Sequence, residues 1–435
     1  MRRLARLLVD VDPLRQSSAY RRLWIGSCLS SVGNQMTNYA VILQIFLLTH
    51  SSLSVGSTGL VVAASVIIVA LAGGVILDAT DRRRVVLIAT GIQAAVSATL
   101  AAQAFAGLGL VWLIYCLVAI QSLAGAVNAS AQKTFMPNLL RREQLQAGAA
   151  LQTLTMHASL TAGPALAGLI TALLGLKACY IFDVASFACS LYSVARLPSM
   201  RVRGEATRPG LRAIGEGFAF ISRTKVVLGA LVADMSANFF GMPMALFPAI
   251  NAERFGGHAE TLGLLTTAVA VGGLIGSLLS GPVSRIRRQG LGIVVSGAIW
   301  GIGLIAFGLS GVFWLAFLSL TLAGAGDVSA VISRTALVQR LTPDTLRGRV
   351  SSVEYAVGAG VPQLGNFRAG VIGTLTSSTT AVISGGMAAV CGTALVSALI
   401  PALVRYPMRP AGTKETVDSG PRDIISEDTK AELPG

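Results

Sequence analysis

Gly74-Val-Ile-Leu-Asp78-Ala-Thr-Asp81-Arg82-Arg83-Arg84 marks the point where one long apolar run stops and cationic charge begins. The run before it, roughly 53–77, has the length needed to cross a bilayer, about 20 mostly apolar residues. So does the run after it, roughly 85–106. Outward from this junction the pattern repeats, giving twelve runs: 23–48, 53–77, 85–106, 110–133, 146–173, 177–197, 226–250, 260–283, 290–309, 312–336, 350–374 and 379–404. Charge alternates between the connectors. Counted from the N-terminus, the odd-numbered connectors hold only Lys177 and Arg254, and Arg368 lies inside a run. The rest of the 34 Lys and Arg are assigned to the even-numbered connectors and the two ends, with Lys133, Arg196 and Arg334 counted there although they fall in the last turn of their runs. Lys and Arg are retained in the cytoplasm during insertion, so both termini are expected there.

Composition supports the same class. The chain has 435 residues, 53% of them hydrophobic and only 12% charged, where soluble domains carry about 25% charged residues. The net charge of +14 does not indicate a nucleic-acid partner, because the cations form short clusters between apolar segments with no soluble domain behind them. Affinity for membrane lipid of anionic charge is the expected consequence. Strand-like alternation is missing, and backbone groups in lipid need internal partners, so helices are expected. The five cysteines all lie in apolar runs without CxxC spacing, and no disulfide, metal site or cofactor is expected.

Residues 1–22 interleave arginines with leucines and read as a short amphipathic helix on the membrane surface. Runs 23–197 and 226–404 form two blocks of six, divided by the cytoplasmic linker 198–225; the polar tail 405–435 is expected to be disordered. The blocks are related in sequence. Leu140-Arg-Arg-Glu-Gln-Leu-Gln-Ala-Gly148 after the fourth run matches Leu341-Thr-Pro-Asp-Thr-Leu-Arg-Gly-Arg349 after the tenth. Duplicated halves of this kind are typical of transporters whose halves rock about a mid-membrane site.

With these features in place, the 74–84 stretch resembles the G-x-L-x-D-R-x-G-R-K signature of the major facilitator superfamily. Ala79 replaces the usual Arg, and Asp81 stands where many members have Gly. The resemblance implies twelve helices in two pseudo-symmetric six-helix bundles, an all-α membrane protein. It also implies a gating motif at the cytoplasmic side formed by Gly74, Asp78, Asp81, Arg82 and Arg83. In the fifth run, Ser159-Leu-Thr-Ala-Gly163-Pro164-Ala-Leu-Ala167-Gly168 is similar to the end of the antiporter signature, which implies export; Gly163, Pro164 and Gly168 carry that likeness. Leu48–Gly56, Arg142–Ala149 and Leu346–Ser352 are similar to enterobactin-type siderophore exporters and the related macrolide-efflux branch.

Charges at membrane depth cost about 2.5 kcal/mol or more and commonly face a cavity. Asp327 lies in the tenth run and Asp234 in the seventh, four residues before Asn238 and on the same helix face. A carboxyl in a low-dielectric cavity can load and release a proton as two halves rock, so Asp327 and Asp234 are the expected proton carriers. Asn34 and Asn38 share a face of the first run, Asn128 is the fourth-run counterpart of Asp327, and Arg368 lies deep in the eleventh. With Asn238 these are the expected substrate-binding residues; polar packing between helices is the competing role. Asp183, Glu354 and His157 rank lower. The expected activity is proton-driven export of a small amphipathic molecule, siderophore or drug-like, by a monomer in the bacterial inner membrane. Uptake of a small metabolite is the alternative. No glycine is followed by the Lys-Ser/Thr pair of a nucleotide loop, and no nucleophile–base pair or metal spacing supports an enzyme.

Overall fold

The computed structural model describes residues 10–78, 81–132, 135–197, 211–279, 281 and 288–406, the side chains of 70–78 and 211–214 excepted. Residues 407–435 of the polar tail and the first nine residues lie outside the described residues. Twelve long helices order the chain. In the first half they are α1 Ser18–Thr49, α2 Ser52–Asp78, α3 Arg82–Ala106, α4 Val111–Gln132, α5 Leu145–Leu174 and α6 Lys177–Ala195. The second half has α7 Lys225–Gly241, α8 Ala259–Leu278, α9 Gln289–Leu309, α10 Phe313–Leu341, α11 Arg347–Leu375 and α12 Ser378–Leu399. Among the described residues ten of these are long and apolar enough to cross a membrane, α7 together with the following Phe247–Arg254 helix. The remaining two, α1 and α11, are 32 and 29 residues long and are diluted by amides. Those amides, Asn34, Gln35, Asn38, Gln363 and Asn366, face a central cavity instead of lipid.

Helix ends follow local chemistry. Asp81 caps α3 by accepting a hydrogen bond from the Arg83 amide at 3.0 Å. Gly107, at φ +63°, closes the other end in the left-handed conformation that costs glycine little. Pro243 cannot donate to a helix ladder, and α7 stops at Gly241 before the chain resumes as Phe247–Arg254. Within the linker, Leu211–Arg223 is a helix. It rests on the start of α11, where Glu216 pairs with Arg349.

Packing displays the two-fold relation directly. In the first bundle α1 packs on α5 and α6, α3 on α4 and α6, and α2 on α4. Adding six to every number gives the pairs of the second bundle: α7 on α11 and α12, α9 on α10 and α12, and α8 on α10. The main seams between bundles, α2 with α11 and α5 with α8, exchange under the same operation. Termini and linker share one end, the proximal end, and the opposite end is distal.

The seams are tightest distally. A Cβ on Gly370 would lie 3.1 Å from the Gly56 Cα, and one on Gly263 2.9 Å from the Gly168 Cα, so the helix backbones nearly touch. Tyr39 adds a hydrogen bond from its hydroxyl to the Ala259 carbonyl at 2.7 Å. The Leu53 amide donates to Thr374 Oγ1 at 3.0 Å.

One cation organises the distal rim of the second bundle. Arg254 donates from Nη1 to the carbonyls of Gly308 at 2.8 Å and Ser310 at 3.1 Å, and from Nη2 to the Thr379 hydroxyl. Hydrogen bonds to charged groups contribute about 1.5–3 kcal/mol each. Arg254→Ala should therefore lower the detergent-solubilised melting temperature clearly below that of the parent, while Arg254→Lys recovers only part of it. An unchanged melting temperature in Arg254→Ala would show that the rim does not depend on this clamp.

Candidate functional site

Between the bundles lies a cavity of about 990 Å³. Its lining is largely aliphatic, and seven carboxamides and three thioethers are set into it. Asn34, Gln35 and Asn38 come from α1, Gln93 and Gln121 from α3 and α4, and Gln363 and Asn366 from α11; Met156, Met242 and Met244 supply adaptable apolar surface. Gln121 Nε2 donates to Asn34 Oδ1 at 3.4 Å, while Gln121 Oε1 is buried without a partner. Asp327 is the carboxyl in the lining, which includes no Lys or Arg among the described residues. His157 of α5 lies 3.4 Å from the Ser277 hydroxyl of α8, so this contact spans the two bundles.

The expected binding residues divide by rotation about their helix axes. Asn34, Asn38 and Asp327 line the cavity. Asn128 turns into the first bundle and donates to Thr90 at 3.3 Å and Gln93 at 3.0 Å. Arg368 points between α7 and α12, where it donates to the Phe240 carbonyl and lies over the Phe240 ring. Asn238 and Asp234 are buried just behind the cavity wall.

Asp234, Asn238 and Asp327 belong to one polar cluster inside the second bundle. Asn238 Nδ2 donates to the Asp234 carbonyl at 3.2 Å and approaches Asp327 Oδ1 at 3.4 Å. Arg334 pairs with Asp234, and its Nε lies 3.8 Å from Glu354 Oε1. One guanidinium therefore serves two carboxyls directly, with a third, Asp327, close by, and buried negative charge beyond what it offsets is unfavourable. Asp234 Oδ1, Arg334 Nε and Glu354 Oε1 are all buried without hydrogen-bond partners. The first bundle has a different arrangement. Asp183 accepts from the hydroxyls of Ser97 at 2.6 Å, Thr37 at 2.7 Å and Ser186 at 3.4 Å.

Arg334 and Glu354 are the members that the sequence reading missed or ranked low. The charge count assigns Arg334 to a connector, whereas α10 continues to Leu341 and keeps it 7% exposed. A signal was available, because Arg334 stands seven residues, two helical turns, after Asp327 and therefore on the same face.

The 74–84 stretch is described in part. Gly74 and Asp78 belong to the last turns of α2, but their side chains lie outside the described residues. Asp81 acts as the α3 cap, and Arg83 donates to the carbonyls of Val194 and Ala195 at the end of α6. Arg82 is half-buried. In α5, Gly163 packs against Gln35 of α1, Pro164 lines the cavity, and Gly168 forms the distal seam with α8.

Comparison with known proteins agrees with this architecture. The family described as transmembrane secretion effector matches residues 9–430. The enterobactin exporter EntS of Shigella boydii serotype 18 is 25% identical over 382 residues, covering 87% of this chain and 91% of the relative. EntS of Escherichia coli O81 shows the same identity and coverage. In fold, the chain is similar to a bacterial homologue of the iron transporter ferroportin in an inward-facing state, with TM-score 0.66, 18% identity, and 89% and 99% of the two chains covered. It is also similar to the nucleoside transporter NupG (D323A mutant), with TM-score 0.71, 14% identity, and 88% and 99% covered.

Proposed function

Since the chain belongs to the transmembrane secretion effector family, we propose that this secondary transporter exports a small amphipathic iron chelator of the catecholate type. Its direction of transport is from the proximal to the distal side. The observation that carries this reading is the cavity itself. It is drug-sized, within the range of about 300–1,000 Å³ usual for such ligands, and is roofed by the closed glycine seams at the distal end. Carboxamides suit a ligand rich in hydroxyl and amide groups, and the methionines suit its aromatic rings.

The alternation of Lys and Arg places the proximal end in the cytoplasm of a bacterial inner-membrane protein. Rocking of the two bundles about the cavity then gives alternating access by a monomer. Asp327, on the cavity wall, is the group through which substrate and proton compete, and the Asp78–Arg83 segment gates the cytoplasmic mouth. The chain acts as a carrier without catalysing a reaction on its cargo.

A bacterial strain lacking its own enterobactin exporter, and expressing this chain, is expected to secrete the catecholate again. Asp327→Asn at equal abundance should lower secretion about tenfold or more, a change of 1.36 kcal/mol or more in the limiting barrier. Recovery of drug resistance without catecholate secretion would assign the cavity to drug-like compounds instead. Net catecholate uptake would overturn the direction.

A further inference from the structure

A second pocket, of about 630 Å³, opens at the proximal end between the last turns of α10 and the first turns of α11. Exposed Gln339, Arg340, Arg347 and Ser351 form its rim, and Glu354 lies in its lining. The Glu354 side chain keeps 12% exposure, while its Oε1 is buried and turned toward Arg334. From there the polar cluster leads inward: Arg334 pairs with Asp234, and Asn238 binds the Asp234 backbone carbonyl and approaches Asp327 on the wall of the central cavity. A continuous series of polar groups thus connects two separate cavities through the interior of one bundle.

We infer that this pocket is a water-filled proton port, so that protons reach the Asp327 cluster from the proximal side without passing through the substrate cavity. The proposal rests on the transporter reading above and adds a route to it. A guanidinium does not release its proton in proteins, so Arg334 cannot be a relay. It acts as a shared counter-charge. When water in the pocket protonates Glu354, Arg334 is left to Asp234; when Asp234 takes the proton, Arg334 is free for Glu354. The proton moves between carboxylate oxygens and water, and the single positive charge stays in place. The charged groups facing this path are Arg334 and Arg340 of α10, Asp327 of α10, Asp234 of α7 and Arg347 of α11, the last paired with Asp344 at 2.9 Å. The unpartnered Asp234 Oδ1, Arg334 Nε and Glu354 Oε1 are the atoms that such water would satisfy, and a water needs two to four polar partners to be held.

A separate route has a functional consequence. Substrate can occupy the central cavity while Asp327 still exchanges protons with the cytoplasm, so loading of cargo does not block release of the coupling ion.

The test needs no transport substrate. In a full-length background without its five cysteines, Ser351→Cys at the pocket rim and Thr153→Cys in the central cavity are each coupled to a bulky maleimide. After a rapid drop in pH, protonation of the cluster is followed by the carboxyl infrared band that Asp327→Asn removes. The Ser351 plug should slow this band about tenfold or more, and the Thr153 plug should leave it unchanged. Glu354→Gln without a plug should slow it similarly. Slowing by the Thr153 plug, alone or together with the Ser351 plug, would route protons through the substrate cavity and overturn the proposal. An unaffected rate with the Ser351 plug would overturn it as well. Because export is not measured, failure here leaves the exporter reading standing, and failure of catecholate secretion leaves the port standing.

Discussion

Arg334→Leu should remove about 3–5 kcal/mol of stability, the usual cost of stranding buried carboxylates by deleting their cation. Asp234 loses its partner, Glu354 loses the guanidinium 3.8 Å away, and Asp327 loses the positive charge two turns along its own helix. Fluorescence-detected size exclusion after heating measures the effect: the monodisperse peak of Arg334→Leu should collapse well below the parent's melting temperature. Adding Asp234→Asn should restore a large part of the loss, since the pair then leaves together and the surplus of negative charge is smaller. The order of effects matters more than the absolute size. If Asp234→Asn alone proves more damaging than Arg334→Leu, the cation is not the element that holds the cluster, and the charge count above is wrong.

The second large effect concerns the distal seams. Gly370→Leu places a branched side chain where even a Cβ lies 3.1 Å from the Gly56 Cα, against the Ser52 carbonyl. Overpacking of this kind costs about 1–3 kcal/mol, and here the cost falls only on the state in which α2 and α11 meet distally. A bias of that size changes the ratio of the two states by about 5- to 150-fold. Transport should be nearly lost while the amount of folded protein stays close to the parent's. Asn38→Cys, on the cavity wall, then reports the shift. A membrane-impermeant maleimide added on the distal side should label it faster in the Gly370→Leu background. Gly91→Ala is the matched control, because nothing lies within 4 Å of a Cβ built there, and it should change neither transport nor labelling. Slow distal labelling in both backgrounds would mean that the glycine seam does not set the state.

The contrast between the two experiments also shows what could be read from the chain in advance. Run length and hydropathy are properties of residue order, and they locate the helices because lipid leaves the backbone few alternatives. The repeated halves and the 74–84 likeness add the two-fold arrangement. Rotation of each helix about its axis is much less visible. In soluble helices a polar stripe marks the wet face, but these helices are apolar on most sides, so depth is legible and direction is not. Asn34 and Asn128 are both amides inside runs, yet one faces the cavity and the other faces Gln93 within its bundle. Arg368 is deep as expected, and its direction is set by the Phe240 carbonyl, which is left open where α7 stops at Gly241. Arg334 was obscured for another reason: a cation close to a run's end looks like a connector residue until the helix is seen to continue.

That open carbonyl bears on how the second bundle bends. Pro243 divides the seventh crossing into an inner rod holding Asp234 and Asn238 and an outer rod fastened to the rim through Arg254. Arg368 supplies the missing donor at the joint by binding the Phe240 oxygen. The crossing therefore works like an articulated strut, with its ionisable groups on one arm and its anchorage on the other. Flexing it requires no broken backbone bond, only a guanidinium that swivels with the joint.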